Sequence, residues 1–264
     1  MHCLETNKFP YYPTDDVWRR EEFSKFIQYQ GNLWDDKVIK QTMHGLALSW
    51  SYMPHAFDVQ CGNMNTPLQT FRNHKQHIKK KMEQLGHVDS PSGLRKALKV
   101  MTGSQGVSNF RPTAAQAIYE KFLPNGGTTW DMSGGYGGCL LGAIKTHINY
   151  IATEPAKETF DGLNQIAKDW GNQSNLFGIE QRLEIIQSGS EDYVPKEDSL
   201  DLCFTSPPYF DTEKYSNEDT QSYKKFPKKV DWIDGFLRNT IQNCHYGLKM
   251  NSYCILYTSD AAEE

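Results

Sequence analysis

The sequence predicts an α/β fold in which a parallel sheet is wound with helices on both faces and is preceded by a mainly helical region. Two observations support this prediction. Strand and helix patterns alternate from Phe110 onward, which is typical of parallel sheets, whereas helical patterns dominate before it. A Gly- and Ser-rich stretch at residues 102–109 separates the two parts. We therefore divide the 264 residues into a first region, 1–107, and a second domain, 108–264.

In the first region, helix signals come before and after an aromatic stretch. The pair Asp15-Asp16 can cap one helix, and Thr66-Pro67 starts another that reaches toward Leu85. The residues spaced for one face of the first helix are Val17, Trp18, Phe23, Phe26 and Ile27. Residues 47–57, between the two helices, are rich in aromatic residues and methionine. Such a stretch is more typical of a core than of a ligand site.

Alternating elements fill the second domain. Strands are expected at residues 128–131, 149–153, 183–187, 200–204 and 252–257. Helices are expected at 113–122, beyond Gly138, at 156–170 and at 232–248, with a polar loop at 211–229. In sheets of this type, ligands bind outside the carboxyl ends of the strands. The residues expected at such ends are Asp131, Glu154, Asp192 and Ser206.

A glycine-rich turn follows the strand that ends at Asp131. Its sequence is Asp131-Met132-Ser133-Gly134-Gly135-Tyr136-Gly137-Gly138, and glycine lets the backbone approach a cofactor closely. Glu154 stands about 20 positions further on, where a ribose diol needs an acceptor. No Lys-Ser/Thr pair ends the turn, which argues against a phosphate-binding P-loop. A nicotinamide cofactor stays open, although nothing in the sequence supplies hydride chemistry.

The segment Thr205-Ser206-Pro207-Pro208-Tyr209-Phe210 follows another buried strand. Two prolines fix the backbone and place rigid carbonyl groups beside a hydroxyl and an aromatic ring. The Ser206 hydroxyl and the Pro207 carbonyl can accept hydrogen bonds from an amine on a flat ring, on which Tyr209 can stack. The alternative is a Pro-Pro strand end that only leads into a loop.

Together these motifs resemble the S-adenosylmethionine-dependent amino-methyltransferases that modify DNA, over about residues 108–258. Phe110-Arg111-Pro112-Thr113 is similar to the family's cofactor-side motif, and the glycine turn is similar to Asp-Pro-Phe-x-Gly-x-Gly, from which Met132 and Ser133 depart. The resemblance implies a Rossmann-like class I methyltransferase fold and S-adenosylmethionine as cofactor. The implied cofactor-binding residues are Phe110, Pro112, Thr113, Asp131, Ser133, Gly135, Gly137, Glu154, Glu191 and Asp192.

The resemblance also implies the reaction. Methyl transfer to the exocyclic amine of a flipped cytosine or adenine in double-stranded DNA is expected, and a leading Ser is commoner among cytosine methylators. The implied catalytic residues are Ser206, Pro207, Pro208 and Tyr209. No Pro-Cys pair is present, so we expect direct displacement without a covalent enzyme intermediate. No metal is expected, because the His74 and His77 pair lacks a third ligand.

A formal net charge of -4 requires that cations for DNA be local. One basic cluster contains Arg72, Lys75, Lys79, Lys80, Lys81, Arg95, Lys96 and Lys99. The second follows the catalytic motif, and we predict nucleic-acid contacts there. The predicted contact residues are Phe210, Lys214, Lys224, Lys225, Lys228 and Lys229.

We expect an intracellular protein of prokaryotic or phage origin. No apolar stretch is long enough to span a membrane, the first residues lack a secretion signal, and the six cysteines include no Cys-x-x-Cys pair. The resemblance implies a sixth and a seventh strand and a target-recognition domain, for which the sequence leaves no room after the fifth strand. Either the chain is truncated, or the partner strands and DNA contacts come from residues 1–109 or from a second subunit. Other hypotheses stay open: an RNA amine or a protein glutamine amide as acceptor, or a non-catalytic DNA- or partner-binding module.

Overall fold

The computed structural model describes residues 3–40, 42–86, 90–171 and 181–257. Thr258, the last residue of the expected resemblance, lies outside them.

The N-terminal region is mainly helical, as predicted. Its helices are α1 (Cys3–Thr6), α2 (Asp16–Gln28), α3 (Leu46–Ser51), α4 (Pro67–Asn73), α5 (Lys75–Gln84) and α6 (Pro91–Lys99), with a 3-10 helix at Pro54–Asp58. Short strands lie between them: β1 (Trp34–Asp35), β2 (Val38–Ile39) and β3 (Gln60–Cys61). The aromatic stretch at residues 47–57 does contribute to the core, because Leu48, Met53 and Ala56 are buried.

Two predictions for this region are wrong in detail. The helix that begins after Thr66 does not continue to Leu85, because His74 leaves the helical conformation (φ −128°, ψ 36°) and separates α4 from α5. On α2, only Phe23 and Phe26 are buried, whereas Val17 is 70% exposed and Ile27 is 37% exposed. The helix contacts the rest of the chain along a stripe narrower than the apolar spacing predicts.

The C-terminal domain contains the remaining elements. Its helices are α7 (Pro112–Phe122), α8 (Gly138–Thr146), α9 (Lys157–Trp170), α10 (Ser222–Lys225), α11 (Lys229–Trp232) and α12 (Asn239–Gly247), and a π-helical segment, Ile233–Arg238, joins the last two. Its strands are β4 (Thr128–Asp131), β5 (Asn149–Thr153), β6 (Leu183–Ile186), β7 (Leu200–Thr205), β8 (Glu213–Lys214) and β9 (Leu248–Leu256). The predicted loop at 211–229 therefore contains β8 and α10, and β9 begins four residues earlier than expected.

Five of these strands form one parallel sheet in the order β6-β5-β4-β7-β9. Strands β5 and β6 lie on one side of β4, whereas β7 and β9 lie on its other side. The strand order therefore reverses between β4 and β7. This arrangement confirms the predicted Rossmann-like fold. In such sheets the crevice for a ligand opens where the order reverses, at the carboxyl ends of the strands.

Hydrophobic residues cover both faces of the sheet. On one face, Leu140 of α8 and Leu163 of α9 belong to a buried cluster that also contains Phe26 of α2 and Leu48 of α3. The N-terminal region and the sheet thus share a core. On the other face, the cluster comprises Trp130, Met132, Ile151, Leu200, Cys203 and Cys244. Among the described helices, none combines the length and apolar character needed to cross a membrane.

A buried carboxylate at the carboxyl end of β4 connects three of the strands. Asp131, on β4, accepts hydrogen bonds from the Tyr150 hydroxyl of β5 at 2.7 Å and from the Thr205 hydroxyl of β7 at 2.9 Å. It also accepts the Ser133 backbone N–H at 3.2 Å. Burial raises the pKa of Asp131 to about 6, although these hydrogen bonds lower it. The group therefore fixes β7, and the residues after it, relative to the glycine turn.

Removing the Thr205 hydroxyl tests this connection. We expect Thr205→Val to lower the free energy of unfolding by about 1.5–3 kcal/mol, because a buried carboxylate loses a donor. Thr129→Val is the matched control, since the Thr129 hydroxyl is also buried but has no hydrogen-bond partner among the described residues. The control should be neutral or stabilising in denaturant titrations. Equal losses in both variants would contradict the proposed role of Asp131.

Candidate cofactor and acceptor cavity

A cavity opens at the carboxyl ends of β4, β5, β6 and β7. The sequence-predicted residues that line it are Phe110, Ser133, Gly135, Glu154, Glu191, Ser206, Pro207, Pro208, Tyr209 and Phe210. The fold thus brings the four residues predicted as catalytic and half of the predicted cofactor residues to one space.

Glu154 is held rigidly on the wall of the cavity. Its Oε2 atom accepts the Gly135 backbone N–H at 3.1 Å, and its Oε1 atom accepts the Ala156 backbone N–H at 2.9 Å. Burial raises the pKa of Glu154 to about 7, although both hydrogen bonds lower it. Each oxygen keeps a free lone pair, so the carboxylate can accept further hydrogen bonds from hydroxyl groups inside the cavity.

The glycine turn approaches its neighbours too closely for side chains. A Cβ atom on Gly138 would lie 1.8 Å from the Phe110 carbonyl oxygen, a distance that the backbone cannot accommodate. Gly135 adopts a left-handed conformation, φ 52°, which aims its N–H at Glu154. The N-terminal region supports this turn, because Asn109 and Ser49 both donate hydrogen bonds to the Tyr136 carbonyl.

The Ser-Pro-Pro-Tyr segment leaves β7 from a fixed point. Besides the bond from its hydroxyl to Asp131, Thr205 uses its carbonyl to accept the Tyr257 backbone N–H at 2.8 Å. Ser206 is half-buried, and its hydroxyl has no hydrogen-bond partner within the described part of the chain. Phe210 adopts a left-handed conformation (φ 47°), and its ring packs edge-on against Trp232 at 5.7 Å. Strained backbone of this kind clusters at functional sites.

The segment after Phe210 returns over the cavity, and sequence reasoning missed this. β8 pairs antiparallel with β3, so the N-terminal region fixes its position. Glu213 and Tyr215 line the cavity, and the Tyr215 hydroxyl donates a hydrogen bond to the Glu213 carboxylate. Burial raises the pKa of Glu213. The additional lining residues of this segment are Thr220, Gln221, Ser222 and Tyr223. The only signal for this segment in the sequence is the pair Tyr215 and Tyr223, which follows soon after the Ser-Pro-Pro-Tyr segment.

Beyond β6, a polar cluster that contains the buried Glu191 forms another part of the wall. Lys225 Nζ lies 2.5 Å from Glu191 Oε1 and 2.6 Å from Asp192 Oδ2. Glu191 Oε2 and Gln221 Nε2 are buried without hydrogen-bond partners among the described residues, although both side chains line the cavity. Such groups are rare in folded proteins and are typical of positions where a polar ligand binds.

Half of the predicted cofactor residues do not line the cavity. They are Pro112, Thr113, Asp131, Gly137 and Asp192. The Thr113 hydroxyl hydrogen-bonds Thr42 beneath the surface, and the Asp131 carboxylate is used by its three internal donors. Asp192 is exposed and pairs with Lys225. The patterns that located these residues at strand and helix ends do not determine which way their side chains point.

The lysines predicted to contact nucleic acid also lie outside the cavity. Lys225 is engaged by Glu191 and Asp192, and Lys224 donates to the Asn217 carbonyl and lies 3.6 Å from Asp219. The remaining three, Lys214, Lys228 and Lys229, are exposed.

The fold and the site define a doubly wound α/β domain with a cavity at its topological switch point. No protein-family model matches the chain, and no curated protein matches it. Among solved structures, a putative S-adenosyl-L-methionine-dependent methyltransferase from Methanococcus maripaludis is 16% identical, with a TM-score of 0.39 over 55% of this chain and 53% of that one. The chain therefore spans about half the length of this neighbour.

Two further neighbours show a similar level of likeness. A SAM-dependent methyltransferase from Thiobacillus denitrificans, in complex with S-adenosyl-L-homocysteine, is 17% identical, with a TM-score of 0.37 over 59% of this chain and 55% of that one. A putative RNA methyltransferase from Pyrococcus horikoshii is 14% identical, with a TM-score of 0.36 over 57% of this chain and 61% of that one. Similarity this low carries no information on substrate.

The raised pKa of Glu154 predicts how stability depends on pH. The pKa of about 7 in the folded chain exceeds the ordinary value of 4.5, so the folded state binds the proton more tightly than the unfolded state. Its contribution to stability is full below pH 4.5 and is lost as the pH rises through 7. Between pH 5 and 8, the wild-type free energy of unfolding should fall by roughly 2.5 kcal/mol more than that of Glu154→Gln.

The control for this measurement is Glu158→Gln, which changes an exposed glutamate four positions away. Its profile should follow that of the wild type in denaturant titrations across the same pH range. Parallel profiles for wild type and Glu154→Gln would show that Glu154 does not titrate with a raised pKa.

Proposed function

We propose that the chain is a methyltransferase that uses S-adenosylmethionine to methylate the exocyclic amine of a cytosine or adenine in DNA. One observation carries the proposal. The same cavity has Glu154 and the glycine turn on one wall and Ser206-Pro207-Pro208-Tyr209 on another, so a nucleoside cofactor and a flat amine can bind beside each other.

The residues on the cofactor side fit S-adenosylmethionine. Glu154 presents two oriented carboxylate oxygens for a ribose diol, and the turn around Gly135 lets the backbone lie close to the ligand. The Gln221 amide and the Glu191 Oε2 atom are an unpaired donor and an unpaired acceptor on residues that line the cavity, which suits the polar edge of an adenine ring. S-adenosylmethionine supplies an electrophilic methyl group on a sulfonium sulfur.

The residues on the acceptor side fit a planar amine. The amine must keep its two N–H groups hydrogen-bonded while its nitrogen becomes more tetrahedral, and the Ser206 hydroxyl and the Pro207 carbonyl are two acceptors fixed on a proline-stiffened backbone. The Ser206 hydroxyl is free for this role. Tyr209 offers an aromatic plane on which an extruded base can stack.

The chain's contribution to the reaction is chiefly positioning. Asp131 fixes the strand end that carries Ser206 against the glycine turn, so both ligand sites keep one relative geometry. Methylation of the amine releases one proton. Glu213, whose pKa is raised by burial, lies on the cavity wall and can accept that proton. Residues 213–223, the covering segment, contribute Glu213, Tyr215 and residues 220–223 to the lining of the same cavity.

Methyl transfer to DNA is the direct test. The purified chain should transfer a labelled methyl group from S-adenosylmethionine to unmethylated duplex DNA, and mass spectrometry of the digested nucleosides should show N4-methylcytosine or N6-methyladenine. Label in RNA or in protein glutamine, but not in DNA, would contradict the proposed acceptor. Failure to bind S-adenosylmethionine would contradict the proposed chemistry as a whole.

Two variants separate the roles of the walls. Ser206→Ala should lower turnover by about 10²-fold, as loss of one transition-state hydrogen bond does in other enzymes, while calorimetry shows unchanged cofactor affinity. Glu154→Ala should lose cofactor affinity instead. Loss of cofactor binding in Ser206→Ala with retention in Glu154→Ala would reverse the assignment.

A further inference from the structure

Helices α4, α5 and α6 form a small unit of their own within the N-terminal region, which we call the three-helix unit (residues 67–101). Its buried side chains are Phe71, Ile78, Met82, Leu94, Ala97 and Leu98. They form a cluster separate from the two on the faces of the sheet. The unit therefore has a core of its own, against which Leu4 and Phe9 of the N-terminal segment also pack.

The charge of the three-helix unit is opposite to that of the rest of the chain. It contains eight of the 28 Lys and Arg residues but only two of the 32 Asp and Glu residues. The remainder of the chain is left with 20 cations and 30 anions. A concentration of this kind gives an acidic protein one strongly positive surface, to which polyanions are attracted.

The cations of this surface are free to bind. Lys79 and Lys80 on α5, with Lys96 and Lys99 on α6, are exposed and form no ion pair or hydrogen bond within residues that the structure describes. They differ in this from the basic cluster after the catalytic motif, where Lys225 is held by two carboxylates. Helices α5 and α6 pack against each other, and the axes of packed helices lie about 8–10 Å apart, so neighbouring helices carry the two pairs of cations.

The unit is also attached to the rim of the cavity at both of its ends. At its amino end the unit follows β3, which pairs with β8, the strand that comes after the Ser-Pro-Pro-Tyr segment in sequence. At its carboxyl end the chain continues to Ser108 and Phe110, which line the cavity. The segments that enter and leave the unit meet, because the Asn65 N–H donates to the Gly103 carbonyl at 3.0 Å and the Asn65 carbonyl accepts the Gln105 N–H at 3.1 Å. A duplex held by the unit is thus held next to the acceptor site.

We propose that the three-helix unit is the docking surface for the phosphate backbone of double-stranded DNA, and that it presents the duplex to the cavity. This inference rests on the proposed transfer to DNA. It assigns the main phosphate contacts to Lys79, Lys80, Lys96 and Lys99, and not to the lysines that follow the catalytic motif.

Binding of a fluorescein-labelled DNA duplex, measured by anisotropy as a function of salt, tests the proposal. The variant Lys79→Gln/Lys80→Gln/Lys96→Gln/Lys99→Gln keeps helix-compatible residues at exposed positions. It should bind the duplex about tenfold or more weakly than the wild type, and the slope of log affinity against log salt should decrease by about 0.9 for each phosphate that the variant no longer neutralises. Affinity for S-adenosylmethionine, measured by calorimetry, should not change.

The control variant is Lys37→Gln/Lys40→Gln/Lys168→Gln/Lys196→Gln, which removes the same charge from exposed positions outside the unit. It should keep the wild-type salt slope. Equal weakening in both variants, or none in the first, overturns the docking surface alone. A wild-type chain that binds S-adenosylmethionine but no duplex overturns both this inference and the proposed acceptor. The same conclusion follows if single-stranded RNA displaces the labelled duplex at concentrations where unlabelled duplex has no effect.

Discussion

The buried carboxylate of Asp131 sets the geometry on which the site depends. It connects β4, β5 and β7. Of its donors, Ser133 lies in the glycine turn that lines the cavity, and Thr205 immediately precedes Ser206. Burial at this depth is unfavourable for a charge, which is why its pKa rises to about 6 despite three donors. Hydrogen bonds from Ser133 and Thr205 partly offset the unfavourable burial of this carboxylate, and they fix the cofactor wall relative to the acceptor wall.

The N-terminal region completes the site rather than standing apart from it. Its helices share the core of the sheet, and Ser49 reaches the Tyr136 carbonyl within the glycine turn. Its strand β3 pairs with β8, which places Glu213 on the cavity wall. The three-helix unit then extends from the same rim. One continuous support therefore links the basic surface, the covering segment and the glycine turn.

The sequence predicted those features that depend on local rules. Strand periodicity, glycine and proline located the sheet and brought Glu154 and Ser206 to one edge, as the structure has them. It could not predict features that depend on distant pairing or on the direction of a side chain. Glu213 reaches the cavity only because β8 pairs with residues about 150 positions earlier, and a strand of four residues does not show that Asp131 points inward.

We propose that a single cavity holds the cofactor on Glu154 and the acceptor amine on Ser206. A crystal structure of the chain with S-adenosylhomocysteine would test this arrangement. We expect the ribose hydroxyls to donate to Glu154, and the ligand's sulfur to face the part of the cavity bounded by Ser206 and Tyr209. A ligand bound outside this cavity, or one whose sulfur faces away from Ser206, would contradict it.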